Sequence, residues 1–184
     1  MINFITLLRV VLLAPLAWLL VNAGEKTWAV EGIFLLAGVT DWADGYLARR
    51  LRRTSKFGAM LDQICDKIFI IGTLVAMAAA GLLQNVMLIP VLLIIAREFA
   101  VAGWREYMAQ QGRAVPVDKL GKLKTVTQFF GLALMLVPVA GDVCIEINHV
   151  GAAMVWISAI MGLVSAVNYF RAGMKKVPGH FSAE

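Results

Sequence analysis

Six apolar stretches divide this sequence, and each is close to the ~20 residues that a helix needs to cross the hydrocarbon core of a bilayer. They cover approximately residues 5–21, 30–48, 59–83, 86–108, 123–139 and 150–170. The mean hydropathy of +0.79 is too high for a soluble domain. We therefore expect an all-α integral membrane protein with six transmembrane helices, built as one domain over residues 1–184. Residues 1–9 are expected to form a short amphipathic lead-in at the interface.

Basic residues are concentrated in alternate loops. They lie between the second and third stretches, around the connection from the fourth to the fifth, and after the sixth, whereas the opposite loops hold Lys26 alone. The positive-inside rule then predicts that both termini and the basic loops are cytoplasmic, in the cell's inner membrane. Because the net charge of +5 comes from residues beside apolar stretches, it indicates contact with anionic lipid and not with nucleic acid.

Four aspartates interrupt the second and third stretches. Asp41 and Asp44 are three residues apart, and Asp62 and Asp66 are four apart, so each pair lies on one face of its helix. An ionised carboxylate at membrane depth is costly unless it is paired, hydrated or bound to a cation. The basic turn between the two helices brings both faces to the same end. The pattern predicts a cage of hard oxygen ligands suited to Mg²⁺ or Mn²⁺, which would attract phosphates.

Three roles besides a metal cage are compatible with intramembrane aspartates. Structural ion pairs would use Arg49, Lys67 or Arg97 as partners, which is a common role for a single intramembrane aspartate. Four aspartates in this register favour a shared cation instead. A divalent-cation transporter would also hold acidic groups at a cytoplasmic mouth, but it predicts a polar path that the second and third stretches lack. A non-enzymatic lipid-binding scaffold leaves the spacing unexplained.

Basic residues of the fourth and fifth stretches are expected to face the acidic cage. Arg97 and Arg105 are eight residues apart and so lie on nearly the same helix face, and Lys122 and Lys124 open the fifth stretch. Snorkelling towards the headgroups accounts for Arg105 equally well, and for Arg97 poorly. Metals on one side and cations on the other would suit a substrate with two separate phosphate groups, so we expect these four residues to bind an acceptor phosphate.

The arrangement of these aspartates and their neighbours resembles that of a known family. The pattern Asp41-x-x-Asp44-Gly45-x-x-Ala48-Arg49, eight residues, Gly58-x-x-x-Asp62-x-x-x-Asp66 is similar without a gap to the signature of the CDP-alcohol phosphotransferases. The resemblance extends over nearly the whole chain. It implies transfer of a phosphatidyl group from CDP-diacylglycerol, or of a phosphoalcohol from a related CDP-alcohol, to an acceptor hydroxyl with release of CMP. It also implies that the four aspartates hold two metal ions and that Asp66 is the general base.

The resemblance implies further site residues and partners. Contacts to CDP-diacylglycerol are expected from Asn3, Thr6, Asp41, Asp44, Gly45, Ala48, Arg49, Ser55, Gly58 and Asp62, although Gly45 and Ala48 fit close helix packing equally well. Residues 3–9, 96–99 and 121–125 resemble the bacterial branch of the family whose acceptor is sn-glycerol 3-phosphate. Serine, inositol phosphate or phosphatidylglycerol are alternative acceptors for the same donor chemistry. The family resemblance also implies a homodimer.

Overall fold

The computed structural model describes residues 2–23, 26–50, 56–113, 119–138 and 142–174, and nearly all of them are helical. The helices are α1 (Ile2–Ala23), α2 (Trp28–Arg50), α3 (Lys56–Ala79), α4 (Leu88–Gln110), α5 (Lys119–Leu136) and α6 (Asp142–Met174), with a 3-10 turn at Asn85–Met87 before α4. The described residues contain no β-strand. The all-helical prediction is confirmed, and each predicted stretch corresponds to one helix. The expected lead-in continues into α1 without a break.

The outer surface of the bundle is apolar. Val11, Leu92 and Phe99 are each more than 60% exposed, and similar side chains line every helix. Within the described ranges, three helices are long and apolar enough to cross a membrane by length and composition, over Thr6–Ala23, Asn85–Gln110 and Asp142–Met174. A continuous apolar surface of this extent needs lipid around it. The chain is a multi-pass membrane protein.

An aromatic stack holds the two aspartate-bearing helices in register. Phe34 of α2 is fully buried, and its ring centroid lies 5.6 Å from that of Phe69 on α3 and 4.9 Å from that of Phe129 on α5. Phe69 follows Asp66 by three residues, so the two side chains lie on one face of α3. Buried stacked rings add packing energy beyond their area. The stack therefore joins α2 and α3 about one turn from Asp66 and about two turns from Asp41.

Helices α5 and α6 approach each other closely at a pair of glycines. A Cβ added to Gly151 would lie 2.7 Å from the carbonyl oxygen of Gly131 and 2.8 Å from the backbone nitrogen of Met135. Those are backbone atoms that cannot move aside independently. Small residues at such crossings let membrane helices pack backbone to backbone. The pair fixes α5, which carries Lys124, against α6.

Replacing Gly151 with alanine is expected to destabilise the protein. The added methyl group overlaps the α5 backbone, and overpacking of this kind typically costs about 1–3 kcal/mol. The matched control is Gly32→Ala on α2, where an added Cβ meets nothing within 4 Å. Thermal unfolding in detergent should show a lower midpoint for Gly151→Ala and an unchanged or slightly higher one for Gly32→Ala. Equal midpoints for the two variants would contradict the close helix crossing.

Candidate active site

Three of the predicted metal-binding carboxylates converge at one place. Asp41 of α2 and Asp62 and Asp66 of α3 each offer an oxygen atom, and these three atoms lie within 4.8 Å of one another. The three side chains are about half exposed. Carboxylate oxygens at this spacing match the hard ligand set that Mg²⁺ and Mn²⁺ prefer. This acidic triad could hold a metal ion.

A buried arginine of the first helix lies inside the acidic triad. Arg9 is only 3% exposed, and its Nη2 atom lies 2.6 Å from an Asp41 oxygen and 2.8 Å from an Asp62 oxygen. Its Nη1 atom donates to Asp66. One guanidinium group thus joins α1, α2 and α3, and the triad already accommodates a cation supplied by the chain itself.

Structural ion pairs do form at these aspartates, but with an unexpected partner. Among the described residues, the ion pairs of Asp62 and Asp66 are made with Arg9, while Arg97 is paired with Glu98. No site role was predicted for Arg9 from the sequence. A signal was present, because a lone arginine inside an apolar stretch must find a partner or leave the membrane. The sequence pattern does not show that α1 packs along α3, and it is this packing that supplies the partner.

A cleft between α3, α4, α5 and α6 adjoins the acidic triad. It consists of two neighbouring cavities of about 120 and 170 Å³ that share the lining residues Gln63, Lys67, Glu98, Lys124 and Thr125. Asp66 lines the larger cavity. The smaller one is also lined by Arg97, Arg105, Ser165 and Tyr169. Asp66 therefore belongs both to the acidic triad and to the wall of a basic cleft.

A buried carboxylate organises two of the cations in this cleft. Glu98 accepts hydrogen bonds from Arg97 Nη1 at 2.9 Å and from Lys124 Nζ, and all three side chains are largely buried. Arg97 Nε also donates to the carbonyl oxygen of Gly162 on α6, at 3.3 Å. Buried charges need such partners, since an uncompensated one is strongly unfavourable. The network holds one arginine and one lysine at fixed positions on the cleft wall.

The four predicted acceptor-binding residues separate into two groups. Arg97, Arg105 and Lys124 line the smaller cavity. Lys122 is exposed and is not among the residues that line either cavity. Residues 122 and 124 are two apart, so on a helix their side chains point in different directions. Helical spacing alone therefore shows that the two lysines cannot both face the cleft, but which of them does depends on the orientation of α5.

The residues expected to contact the donor are only partly described. Thr6 is buried on α1, one turn before Arg9, and Gly58 lies on α3, one turn before Asp62. Five others lie on described helices, but their side chains fall outside the described part of the chain: Asn3, Asp44, Gly45, Ala48 and Arg49. Ser55 lies outside the described residues altogether. These roles stay predictions.

Several residues of the cleft were not predicted from the sequence. Gln63, Ser165 and Tyr169 line the cleft, and Glu98 holds its cations together. Gln63 lies three residues before Asp66, a helical spacing that could have indicated it. Ser165 and Tyr169 are four apart on one face of α6 and are both buried. Their apolar surroundings in sequence gave no sign of a polar cleft.

The chain is similar in sequence to known proteins over most of its length. The CDP-alcohol phosphatidyltransferase family model matches residues 1–164. A CDP-diacylglycerol--glycerol-3-phosphate 3-phosphatidyltransferase of Rickettsia felis is 37% identical over 176 residues, covering 94% of each chain. The protein of the same name from Bacillus subtilis is 31% identical over 174 residues, covering 92% of this chain and 88% of its own.

A solved structure shows the same fold. The phosphatidylinositol phosphate synthase of Mycobacterium tuberculosis, in complex with manganese and citrate, superposes with a TM-score of 0.71 at 16% identity. The match covers 100% of this chain and 87% of that one. The similarity in sequence, which extends over almost all of the chain, includes the helices that carry the acidic triad and the basic cleft. The protein belongs to the CDP-alcohol phosphatidyltransferase family.

Proposed function

We propose that this protein transfers the phosphatidyl group of CDP-diacylglycerol to sn-glycerol 3-phosphate, giving phosphatidylglycerol phosphate and CMP. The observation that carries the proposal is the position of Asp66, which is shared by the acidic triad and the basic cleft. A reaction between two phosphate-bearing substrates needs such an arrangement. One diphosphate must be held by cations next to carboxylates, and the other phosphate by basic side chains, with a proton acceptor between them.

The acidic side of the site binds the donor. Asp41, Asp44, Asp62 and Asp66 would hold two divalent ions, Mg²⁺ or Mn²⁺. The structural neighbour from Mycobacterium tuberculosis, solved in complex with manganese and citrate, supports a divalent metal in this fold. Ions held there would supply the positive charge that stabilises the diphosphate and the departing CMP. Arg49, Ser55 and the small residues Gly45 and Ala48 contact the cytidine diphosphate. The acyl chains stay in the bilayer beside the helices.

The basic side of the site binds the acceptor. A phosphate in the smaller cavity would meet Arg97, Arg105 and Lys124, and Lys67 on the shared wall. Guanidinium groups bind phosphate oxygens through two parallel hydrogen bonds, which fixes the orientation of the acceptor as well as its position. The glycerol hydroxyl then points towards Asp66. The names of the curated relatives support glycerol 3-phosphate as the acceptor.

The reaction is a displacement at phosphorus. Asp66 takes the proton of the acceptor hydroxyl, the resulting oxygen attacks the β-phosphorus of CDP-diacylglycerol, and the bond from that phosphorus to the CMP oxygen breaks. CMP leaves with the electron pair, and the phosphatidyl group ends on the acceptor. The chain contributes position and charge, which is most of what phosphoryl transfer requires.

The setting of the enzyme follows from the same reasoning. The whole chain forms one domain in the inner membrane, with both termini and the open end of the site in the cytoplasm. Soluble glycerol 3-phosphate reaches the cleft from that side, and the lipid donor enters laterally from the bilayer. Membership of the family is the support for a homodimer. The orientation is tested after both native cysteines, Cys65 and Cys144, are replaced by serine. A cysteine placed near either terminus is then treated with a membrane-impermeant thiol reagent in intact and in permeabilised cells, and labelling in intact cells would contradict the orientation.

An acceptor panel tests the proposed reaction. The purified protein is incubated in detergent with labelled CDP-diacylglycerol, Mg²⁺ and one acceptor at a time: glycerol 3-phosphate, serine, inositol phosphate or phosphatidylglycerol. We expect CMP release and a phosphatidylglycerol phosphate product with the first acceptor alone. An efficient product with another acceptor would replace the proposed substrate while leaving the donor chemistry intact.

Replacing Lys124 with alanine is expected to weaken acceptor binding selectively. A lost hydrogen bond to a charged group costs about 1.5–3 kcal/mol, so the KM for glycerol 3-phosphate should rise about tenfold to a hundredfold. The KM for CDP-diacylglycerol should change much less. Lys119→Ala is the matched control, since Lys119 is an exposed lysine of the same helix. Steady-state CMP release gives the KM for each substrate in each of the two variants. An equal rise in both KM values for Lys124→Ala would argue against the acceptor assignment.

A further inference from the structure

We propose that Arg9 is a built-in counter-cation of the acidic triad, and that its guanidinium group and the divalent metal bind the triad in alternation. Arg9 occupies the triad in the metal-free protein and is displaced when metal binds. The inference rests on the proposed metal-dependent function, but it concerns a residue to which that function assigns no role. Arg9 thereby sets how tightly the enzyme holds its metal.

The guanidinium group and a divalent metal need the same oxygen atoms. The Nη atoms of Arg9 reach all three carboxylates, with contacts of 2.6 Å to Asp41 and 2.8 Å to Asp62 and a hydrogen bond to Asp66. A divalent ion coordinated by these oxygens at about 2.1 Å would lie in the space that the Nη atoms fill. A guanidinium group stays charged at every physiological pH, so it cannot yield by losing its proton. Binding of metal therefore requires the arginine to move.

An acidic triad without any cation would destabilise the fold. Carboxylates that share a site repel one another, and partial burial beside lipid makes the repulsion stronger. A chain that depended on metal for charge balance would have to insert and fold around an ion. Arg9 removes this requirement, because a guanidinium group from α1 offsets the charge of carboxylates on α2 and α3. The metal-free protein keeps its fold, and the three helices are held in the geometry that the metal needs.

Arg9 is buried without having all of its donors paired. Its side chain is 3% exposed, yet Nε has no hydrogen-bond partner in the described part of the chain. An arginine fixed for structural reasons normally has its donors paired, since a buried unpaired donor is unfavourable. Among the described residues its terminal nitrogen atoms contact carboxylates, and this attachment is suited to a group that can be exchanged for another cation.

A metal titration tests the inference. Purified wild-type protein, Arg9→Gln and the control Arg171→Gln are titrated with Mn²⁺ in detergent, and free Mn²⁺ is followed by its electron paramagnetic resonance signal. Removing an internal competitor restores the full intrinsic affinity, so Arg9→Gln should bind Mn²⁺ about tenfold more tightly or better. Arg171 is exposed in the last turn of α6, and losing its charge should change the affinity by less than about twofold. Unchanged or weaker Mn²⁺ binding by Arg9→Gln would overturn the inference.

A second variant keeps the test informative if Arg9→Gln does not fold without metal. Arg9→Lys retains the charge but loses the planar fork that spans several carboxylates, so it should occupy the triad less firmly. The rise in thermal midpoint between EDTA and Mn²⁺ should then be larger for Arg9→Lys than for the wild type. An equal or smaller rise would count against alternation.

These measurements are independent of the transfer reaction. Neither CDP-diacylglycerol nor an acceptor is present, so an error in the proposed substrate would leave the Mn²⁺ result unaffected. Conversely, the protein could make phosphatidylglycerol phosphate while substitution of Arg9 leaves its Mn²⁺ affinity unchanged. That result would refute the role of Arg9 and leave the proposed reaction intact.

Discussion

Asp66→Asn is expected to lower kcat for CMP release by about a thousandfold or more, because general-base catalysis by a positioned carboxylate is worth about a hundredfold to ten-thousandfold and this carboxylate also belongs to the metal ligands. Asparagine is nearly the same size as aspartate but cannot accept the proton of the acceptor hydroxyl. The other carboxylates of the acidic triad, Asp41 and Asp62, remain to hold the donor. Binding of CDP-diacylglycerol should therefore largely survive.

Two measurements separate these effects. Labelled CMP release gives the turnover, and calorimetric titration with CDP-diacylglycerol in detergent gives the donor affinity. Asp142→Asn is the control, since it makes the same chemical change at an exposed position in the first turn of α6. A variant Asp66→Asn that retained near-normal turnover would rule out this residue as the base. If donor binding were lost together with turnover, the essential role of Asp66 would be that of a metal ligand and not that of the general base.

Much of the fold could be predicted from the sequence because the bilayer leaves few choices. Stretches of about 20 apolar residues must be helical in lipid, where no water is available for the backbone. Each of the six predicted stretches is a helix in the structure, with ends within a few residues of those expected for most of them. Family membership also confirms the prediction of a phosphatidyltransferase over a cation transporter.

The acidic half of the site could be predicted because its residues are close in sequence. The spacing of Asp62 and Asp66 places them on one face of a single helix, and only residues 51–55 separate that helix from the one that carries Asp41. Helical periodicity is enough to bring such residues together. The structure places their oxygen atoms within 4.8 Å of one another.

The partners of these carboxylates could not be predicted, because they come from distant parts of the chain. Arg9 is 57 residues from Asp66, and Lys124 is 26 residues from Glu98. Which face of α1 packs on α3, and which face of α5 lines the cleft, depends on side-chain packing that periodicity does not encode. For the same reason both Lys122 and Lys124 were predicted to bind the acceptor phosphate, although Lys122 is exposed.

Removing divalent metal is the second change with a large expected effect. Treatment with EDTA should lower CMP release by at least about a thousandfold, since bound metal supplies several kcal/mol of charge stabilisation at the transferring phosphoryl group. Arg9 cannot replace the metal, because its single positive charge is already paired with three carboxylates. No positive charge then remains to bind the diphosphate.

The measurement is the rate before chelation, after chelation, and after return of Mg²⁺ or Mn²⁺ in excess. Because Arg9 offsets part of the charge of the acidic triad, the EDTA-treated protein should stay folded, and the added metal should restore the rate. An irreversible loss would mean that the ion holds the helices together, and that Arg9 does not. A full rate in protein shown by elemental analysis to be free of divalent metal would mean that the carboxylates work without an ion, and the proposed chemistry on the donor side would be wrong.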